Sequence, residues 1–290
     1  MPKASERPKL LLLGDSLTQT SFEGWGSSLA QRYQRRADVL NRGMSGYNSR
    51  WFLEYAKDSG VWEEPGTVQL ITIWFGANDG SLAKHNPHHH VPLDEYSNNL
   101  KRLVILAKES YPMASLVMIT PPPVHHDQRF AYQKKRYSDK ATGILERTLD
   151  NAEKYADACK TVASQLDVPC LNMYDLMLKE GGDNCGFGKY LWDGLHFSKE
   201  GHDFVIEQLL AFIEKHYPSL SIKIDDITGQ PNNSGTVCTG ISNSGPYHDE
   251  IDHENWKKSF IDFKSKADLS PPRKKAKTET TPTTSSATKE

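Results

Sequence analysis

The sequence lacks the features by which membrane and secreted proteins are recognised. Its longest purely apolar runs are only five residues, Leu103 to Ala107 and Leu209 to Ile213, whereas a membrane-spanning helix needs about 20 apolar residues. The opening residues, MPKASERPK, are charged and contain no apolar segment typical of a signal peptide. These absences predict a cytoplasmic protein with no membrane partner.

Cysteine and net charge are both low. The chain has 4 cysteines in 290 residues, and no two of them form a CxxC pair. A chain of this length can bury a core without disulfides, so we expect free thiols in a reducing compartment. The net charge of -2 supplies no global field to attract nucleic acid. We therefore expect no nucleic-acid partner and a small neutral substrate.

Motifs for nucleotides and metals are also missing. No GxxxxGK[ST] phosphate loop occurs, and the GFG at Gly186 to Gly188 does not complete a GxGxxG. Four histidines, His85, His88, His89 and His90, lie in the proline-broken segment KHNPHHH. They lack the carboxylate and helical spacing of a zinc site, so we interpret this segment as a solvated loop. We expect no cofactor and no metal, with a metal-dependent phosphodiesterase as the alternative.

Apolar runs alternate with helical segments along the first two thirds of the chain. Such alternation is typical of a three-layer α/β/α fold with a mostly parallel, five-stranded sheet. The predicted strands cover Lys9 to Leu13, Asp38 to Asn41, Val68 to Phe75, Ser115 to Thr120 and Val168 to Asn172.

Three helices are predicted between and after these strands. One follows a cap at Asp94, and a second, long helical stretch runs from about Ala131 to Gln165. The last one follows the N-cap Ser198 and ends at Tyr217 and Pro218.

Composition changes after this last helix. Residues 1–8 are a short extension, residues 9–217 the predicted domain, and residues 218–290 a largely disordered, flexible C-terminal tail rich in polar residues. The weakly amphipathic piece Trp256 to Phe263 predicts a short helix near residues 254–265, either docked or transient. The basic cluster from Arg273 to Lys277 could act as a nuclear import signal, although short basic clusters are frequent on solvated termini.

Candidate catalytic residues follow the ends of the predicted strands. Ser16 follows the first strand, NRGMSGYNS the second and FGANDG the third, and WDGLHFS precedes the last helix. Because ligands of parallel α/β sheets bind at the carboxyl ends of the strands, we expect these segments to meet. A serine needs a base, and a histidine base needs a third group that fixes its tautomer. Ser16, His196 and Asp193 could fill these roles.

Donors for an oxyanion are present in the same segments. The candidates are the backbone N–H groups of Ser16 and Gly46 and the side-chain amide of Asn78. Each residue also has a structural interpretation: a serine can cap a helix, and glycine and asparagine can serve only their turns. Asp15 is interpreted as structural. Large aromatic residues near the strands could line a pocket but are more often core, namely Trp25, Tyr47 and Trp74.

The four segments resemble the GDSL or SGNH hydrolases. GDSLT around Ser16, GANDG around Asn78 and DGLH with Asp193 and His196 match three blocks of that family. The looser second block places its glycine at Gly46, with Gly43 as the alternative register. The resemblance implies a flavodoxin-like fold, catalytic residues Ser16, Asp193 and His196, and an oxyanion hole of Ser16, Gly46 and Asn78.

The phrases FGANDG, HVPLDEY, TPPP and DGLHFS are similar to the isoamyl acetate-hydrolysing esterase branch. This resemblance implies a cofactor-free serine esterase for small acyl esters such as acetates. A thioesterase, a lysophospholipase or a carbohydrate acetylesterase is the alternative, because the same blocks serve many acyl donors. A non-catalytic protein acting through its basic tail is a third hypothesis. A homodimer could complete the exposed site, although nothing in the sequence requires one.

Overall fold

The computed structural model describes residues 7–64, 67–141, 143–182, 185–222, 250–252 and 254–268. Within them lies a five-stranded sheet in which every strand pair is parallel. The strands are β1 (Lys9–Gly14), β2 (Asp38–Gly43), β3 (Val68–Trp74), β4 (Ser115–Ile119) and β5 (Cys170–Leu171). This arrangement confirms the predicted fold class, with β5 shorter than the predicted run.

The helices cover both faces of the sheet. They are α1 (Ser16–Gln19), α2 (Trp25–Arg32), α3 (Ser49–Asp58), α4 (Leu93–Ser110), α5 (His126–Tyr137), α6 (Leu149–Gln165), α7 (Met173–Gly181) and α8 (Lys199–His216). Along β1, Leu10 and Leu12 enter one apolar cluster while Leu11 and Leu13 enter the other. Successive strand residues point to opposite faces, so the continuous leucine run of β1 is that of a strand buried on both sides.

The strand order β2-β1-β3-β4-β5 determines where a cleft can form. The chain leaves β1 toward β2 on one side of the sheet, and β3 lies on the other side of β1. Connections from β1 and β3 therefore diverge at their carboxyl ends, which is the topological switch point where α/β proteins bind ligands. Ser16 follows β1 and Asn78 follows β3, so both lie at this point.

Two helix predictions need correction. The stretch from Ala131 to Gln165 is not one helix: α5 ends at Tyr137, and α6 begins only at Leu149. Thr148 sets the start of α6, because its side chain acts as an N-cap and accepts a hydrogen bond from the Asn151 N–H.

The second correction concerns α4, which begins at Leu93 after Pro92. Asp94 is therefore not the cap but a first-turn residue, where a negative charge still favours the helix dipole. The cap at Ser198 was predicted correctly, since its side chain accepts from the Gly201 N–H at 3.1 Å.

Packing continues beyond the predicted end of the domain at Tyr217. Leu220 and Ile222 are buried in the same apolar cluster as α2 and α8. The helix α9 (Trp256–Asp268) belongs to a separate unit of the chain, and it occupies the region where a short helix was predicted. The Arg273 to Lys277 cluster lies outside the described residues, as do residues 223–249 and 269–290 of the predicted disordered tail.

Candidate active site

Ser16 is positioned by the abrupt change from β1 to α1. β1 ends at Gly14, and Asp15 caps α1 by accepting a hydrogen bond from the Leu17 N–H at 2.9 Å. Ser16 is then the first residue of the helix, where backbone N–H groups have no partner within the helix. Its side chain and its N–H consequently lie at the carboxyl edge of the sheet.

The WDGLHFS segment forms a tight loop that brings Asp193 and His196 together. An antiparallel bridge joins Leu191 to Phe197 at its base. Inside the loop, Asp193 Oδ1 accepts from the N–H of Leu195 at 3.0 Å and from that of His196 at 2.7 Å. Gly194 has φ +82, and a Cβ there would lie 2.5 Å from a backbone oxygen of α5's cap, so only glycine fits.

The structure joins the three predicted residues in series. Ser16 Oγ lies 3.0 Å from His196 Nε2, and His196 Nδ1 lies 2.8 Å from Asp193 Oδ2. Burial alone would raise the pKa of Asp193, but its hydrogen bonds to His196 and the charge of Arg129 hold that pKa below its ordinary value. An ionised Asp193 accepts from Nδ1–H, which leaves the Nε2 lone pair facing Ser16. This arrangement can remove the hydroxyl proton.

Asn78 and Gly46 lie on the neighbouring loops. Asn78 is 5% exposed and donates from Nδ2 to the Tyr47 carbonyl at 2.8 Å. A carboxamide nitrogen carries two hydrogens, so a second N–H remains to donate. Gly46 has φ +79 in a turn closed by a hydrogen bond from the Tyr47 N–H to the Met44 carbonyl. The positive φ explains why glycine occupies this position.

The alternative register at Gly43 has a different role in the structure. The Gly43 N–H donates to Asn41 Oδ1 at 2.9 Å, and a Cβ there would lie 2.1 Å from the Gln19 nitrogen. Gly43 therefore permits close packing of β2 on α1, and its N–H is already used. These contacts leave the Gly43 N–H without a hydrogen to offer a ligand.

Sequence reasoning missed three charged residues that connect the two halves of the site. Arg129 donates from Nη1 to Asp193 Oδ2 at 2.9 Å and from Nη2 to Glu146 Oε1 at 2.6 Å. Arg147 donates from Nη1 to the same Glu146 oxygen at 2.8 Å. From its other nitrogens, Arg147 donates to the Asn78 Oδ1 and to the Ala77 carbonyl, each at 2.8 Å.

The error about the long helix explains why two of the three, Glu146 and Arg147, were missed. Glu146 and Arg147 lie in the connection between α5 and α6, which was predicted to be helical. In a helix they would have been ordinary surface charges. Thr148, a residue typical of an N-cap, was the available signal that a new helix begins here and that the residues just before it are not helical.

Two buried carboxyl groups lie beside the candidate catalytic residues. Burial raises the pKa of Asp15 to about 7 despite the Leu17 N–H bond, and it raises that of Asp79 to about 6 despite bonds from Ser49. Oδ1 of Asp79 accepts from the backbone N–H of Ser49 at 2.9 Å and also from its hydroxyl. Among the described residues, Oδ2 of each aspartate has no hydrogen-bond partner. The structural interpretation of Asp15 fits its capping bond.

The histidine-rich segment is only partly solvated, which corrects its interpretation as a solvated loop. His85 and His88 are exposed, but His89 and His90 are half-buried. His89 Nδ1 lies 2.9 Å from Asn86 Oδ1, and its Nε2 lies 3.9 Å from where a Cβ on Gly46 would be. The segment therefore forms one edge of the cleft. No group of three or more His, Cys, Asp or Glu suited to a metal occurs in the described part of the chain.

The aromatic residues near the strands divide as follows. Trp25 and Trp74 are fully buried, and their Nε1–H groups donate to the carbonyls of Leu17 and Thr120. Both belong to the core. Tyr47 is half-buried and packs edge-on against Trp51 and Tyr55.

A parallel α/β sheet with serine, histidine and aspartate joined in series at its carboxyl edge defines a serine acyl hydrolase. The chain belongs to the GDSL-like lipase/acylhydrolase family, whose model matches residues 10–209. It is therefore a carboxylic ester hydrolase, as predicted. No described helix is long and apolar enough to cross a bilayer.

Several relatives resemble the chain over most of their length. The isoamyl acetate-hydrolyzing esterase 1 homolog of Bos taurus is 42% identical over 221 residues, which are 73% of this chain and 84% of the relative. The isoamyl acetate-hydrolyzing esterase of Saccharomyces cerevisiae is 33% identical over 72% of this chain and 87% of its own length.

Solved structures share the fold at lower identity. An acetylxylan esterase from Geobacillus stearothermophilus is 21% identical with a TM-score of 0.55, over 73% of this chain and 96% of that one. A lipase/acylhydrolase from Enterococcus faecalis is 22% identical with a TM-score of 0.53, over 72% of this chain and 96% of that one. These likenesses support the three-layer fold.

Proposed function

We propose that the protein hydrolyses small acyl esters, acetates above all, through an acyl-enzyme on Ser16. The observation that carries this proposal is the series Ser16 Oγ to His196 Nε2 at 3.0 Å and His196 Nδ1 to Asp193 Oδ2 at 2.8 Å. Two relatives named for isoamyl acetate hydrolysis support the choice of acetate.

In the first half-reaction, Ser16 Oγ bonds to the ester carbonyl carbon while its proton passes to His196 Nε2. The carbonyl oxygen becomes an oxyanion that accepts from the N–H groups of Ser16, Gly46 and Asn78 Nδ2. The carbon–oxygen bond to the alcohol then breaks, and His196 returns the proton to the leaving oxygen. Asp193 stays ionised throughout and orients the imidazole.

In the second half-reaction, water takes the place of the alcohol. His196 removes a proton from the water as it attacks the acyl carbon, and the bond to Ser16 Oγ breaks. The proton returns to Ser16, and the carboxylic acid leaves. The atoms balance without a metal or an organic cofactor.

The test combines chemistry and specificity. Purified protein is assayed with para-nitrophenyl esters of increasing acyl length and with an acetyl thioester, beside the Ser16→Ala variant. We expect the highest kcat/KM for acetate, and we expect Ser16→Ala to lose about 10⁴-fold or more in kcat together with labelling by a fluorophosphonate. Persistent labelling or turnover in Ser16→Ala would overturn the nucleophile assignment.

The other outcomes discriminate among the alternatives. A preference for long acyl chains would favour a lysophospholipase, and a preference for thioesters would favour a thioesterase. Loss of activity on EDTA treatment, restored by zinc, would favour the phosphodiesterase hypothesis. A cytoplasmic location and a homodimer stay predictions, which fractionation of the native cells and light scattering of the full chain can test.

A further inference from the structure

Trp192 is an exposed indole beside the candidate catalytic histidine. It is 58% exposed, although tryptophan is usually largely buried. Its backbone is held firmly, because the Trp192 N–H donates to the His196 carbonyl at 3.0 Å within the loop closed by the bridge from Leu191 to Phe197. The exposure of the ring therefore results from a fixed loop.

Aromatic contacts hold the ring on two sides. The Trp192 ring lies nearly parallel to the His196 imidazole, with centroids 6.0 Å apart and planes at 24°. Tyr132 of α5 meets the same indole edge-on at 5.4 Å and 89°. Tyr132 is itself held by Arg136, whose Nη1 donates to its hydroxyl at 2.8 Å, and by the Arg129 guanidinium over its ring. We call Trp192 and Tyr132 the aromatic ledge.

The chemistry of the proposed reaction determines which part of the ester lies at the aromatic ledge. His196 Nε2 must deliver its proton to the leaving oxygen, so that oxygen lies within hydrogen-bond reach of the imidazole. The oxyanion faces different segments, the loops that carry Gly46 and Asn78. The alcohol substituent consequently extends past His196. The side chain that it meets beside the imidazole is the indole of Trp192.

Resting on the proposed function, we propose that the aromatic ledge is the subsite for the alcohol portion of the ester and favours alcohols with a ring. A ring can stack on the exposed face of Trp192 and withdraw that face from water, whereas a short linear alcohol covers little of it. The edge-on Tyr132 keeps the indole from rotating, so the ring is ready to bind. Trp192 then determines specificity, while the acyl group and the oxyanion donors stay as described.

The experiment varies only the alcohol. The full chain and its variants are assayed for kcat/KM with benzyl acetate, cyclohexylmethyl acetate and ethyl acetate, which form the same acetyl-enzyme. In Trp192→Ala we expect the ratio of kcat/KM for benzyl to ethyl acetate to fall about 3- to 10-fold from the wild-type ratio. Trp192→Phe keeps an aromatic face and should retain most of the wild-type ratio. Ile105→Ala, which removes an exposed apolar side chain of α4, is the matched control and should retain it fully.

The ratio separates a binding role from a structural one. If Trp192 only supported His196, Trp192→Ala would slow all three acetates equally, and that result would overturn the proposal. An unchanged ratio would also overturn it, whether or not light scattering shows that Trp192→Ala forms a smaller assembly. If Trp192→Ala does not fold, the ratio in Trp192→Leu decides in the same way. Turnover by Ser16→Ala measures the proposed function separately, so failure of one proposal is distinguishable from failure of the other.

Discussion

Arg147 fixes the orientation of the Asn78 carboxamide. Its guanidinium nitrogen Nη2 lies 2.8 Å from the side-chain oxygen of Asn78, and a guanidinium can only donate. The amide oxygen must therefore face Arg147, which turns the amide nitrogen toward the Tyr47 carbonyl and the cleft. The amide that we propose as an oxyanion donor is thus held in place by the buried guanidinium of a distant segment.

Replacing Asn78 by Asp tests the donor without removing its partner. The new carboxylate can still accept from Arg147, but it has no N–H to offer an oxyanion or the Tyr47 carbonyl, and its negative charge repels an oxyanion. We expect kcat for para-nitrophenyl acetate to fall at least about 10²- to 10³-fold, the usual loss for one oxyanion donor, because the charge repulsion adds to that loss. Circular dichroism should show an unchanged fold. A loss of less than tenfold would mean that Asn78 serves only its turn.

Arg147→Met should lower kcat by acting through Asn78. We expect a loss of about 10- to 100-fold, no larger than that from removal of the donor itself. Because both residues serve the same interaction, the losses from Arg147→Met and Asn78→Ala should not add in the double variant. Measured kcat values for the two single variants and the double variant give this comparison. Fully additive losses would show that Arg147 affects the enzyme by another route.

Arg129→Leu should make the protein sensitive to acid. The pKa of Asp193 lies below its ordinary value, and so does that of Glu146, where the charges of Arg129 and Arg147 outweigh the effect of burial. A carboxylate whose pKa is lowered by folding stabilises the folded protein at any pH above its unfolded pKa. That stabilisation is lost as pH falls through the pKa of the folded state. Without Arg129 both pKa values rise, so acid unfolding should begin at a higher pH.

The same substitution should also cost stability at neutral pH. It leaves two largely buried carboxylates short of a cation, which we expect to lower the free energy of unfolding by about 3 kcal/mol or more. Urea unfolding at pH 7 and a pH titration followed by circular dichroism measure both effects. Lys134→Leu, which removes an exposed cation of the same helix, is the control. Equal acid midpoints for the two variants would contradict the proposed role.

Asp79→Asn should stabilise the protein at neutral pH and not in acid. Burial raises the pKa of Asp79 to about 6. The pKa of Asp79 is therefore higher in the folded protein than in the unfolded chain, where it is about 4. Below about pH 4 the protonated carboxyl stabilises the folded state, and this stabilisation is lost as pH rises through the folded pKa. Asparagine keeps an oxygen to accept from Ser49 and never ionises. Its melting temperature should therefore exceed that of the wild type by a few degrees at pH 7, and the difference should vanish near pH 4.

A carboxyl group that is exposed provides the control for this comparison. Asp58 at the end of α3 is exposed, so Asp58→Asn should change the melting temperature little at either pH. If the melting temperatures of Asp79→Asn and the wild type differed equally at pH 4 and at pH 7, ionisation of Asp79 would not be the cause of that difference.

The local parts of the site were predictable because each lies within a short stretch of chain. Gly14 and Asp15 end a strand and cap a helix within two residues, so Ser16 could be placed at a strand end from sequence. Asp193 and His196 are three residues apart in one tight loop. For residues of this kind, local backbone geometry and a parallel sheet suffice, because parallel strands present their carboxyl ends at one edge.

The leucine run of β1 and the four motif segments already specify a parallel sheet with a serine, an amide and an acid–base pair at one edge. Which charges support that edge depends on long-range contacts. Glu146 and Arg147 look like surface residues of a helix in the sequence, but they precede the N-cap Thr148 and contact Arg129 and Asn78. The exposed position of Trp192 beside His196 depends equally on how the last loop packs against α5. A pattern along the chain reports burial and turns, whereas the pairing of distant buried charges is selected by the desolvation cost that each would incur alone.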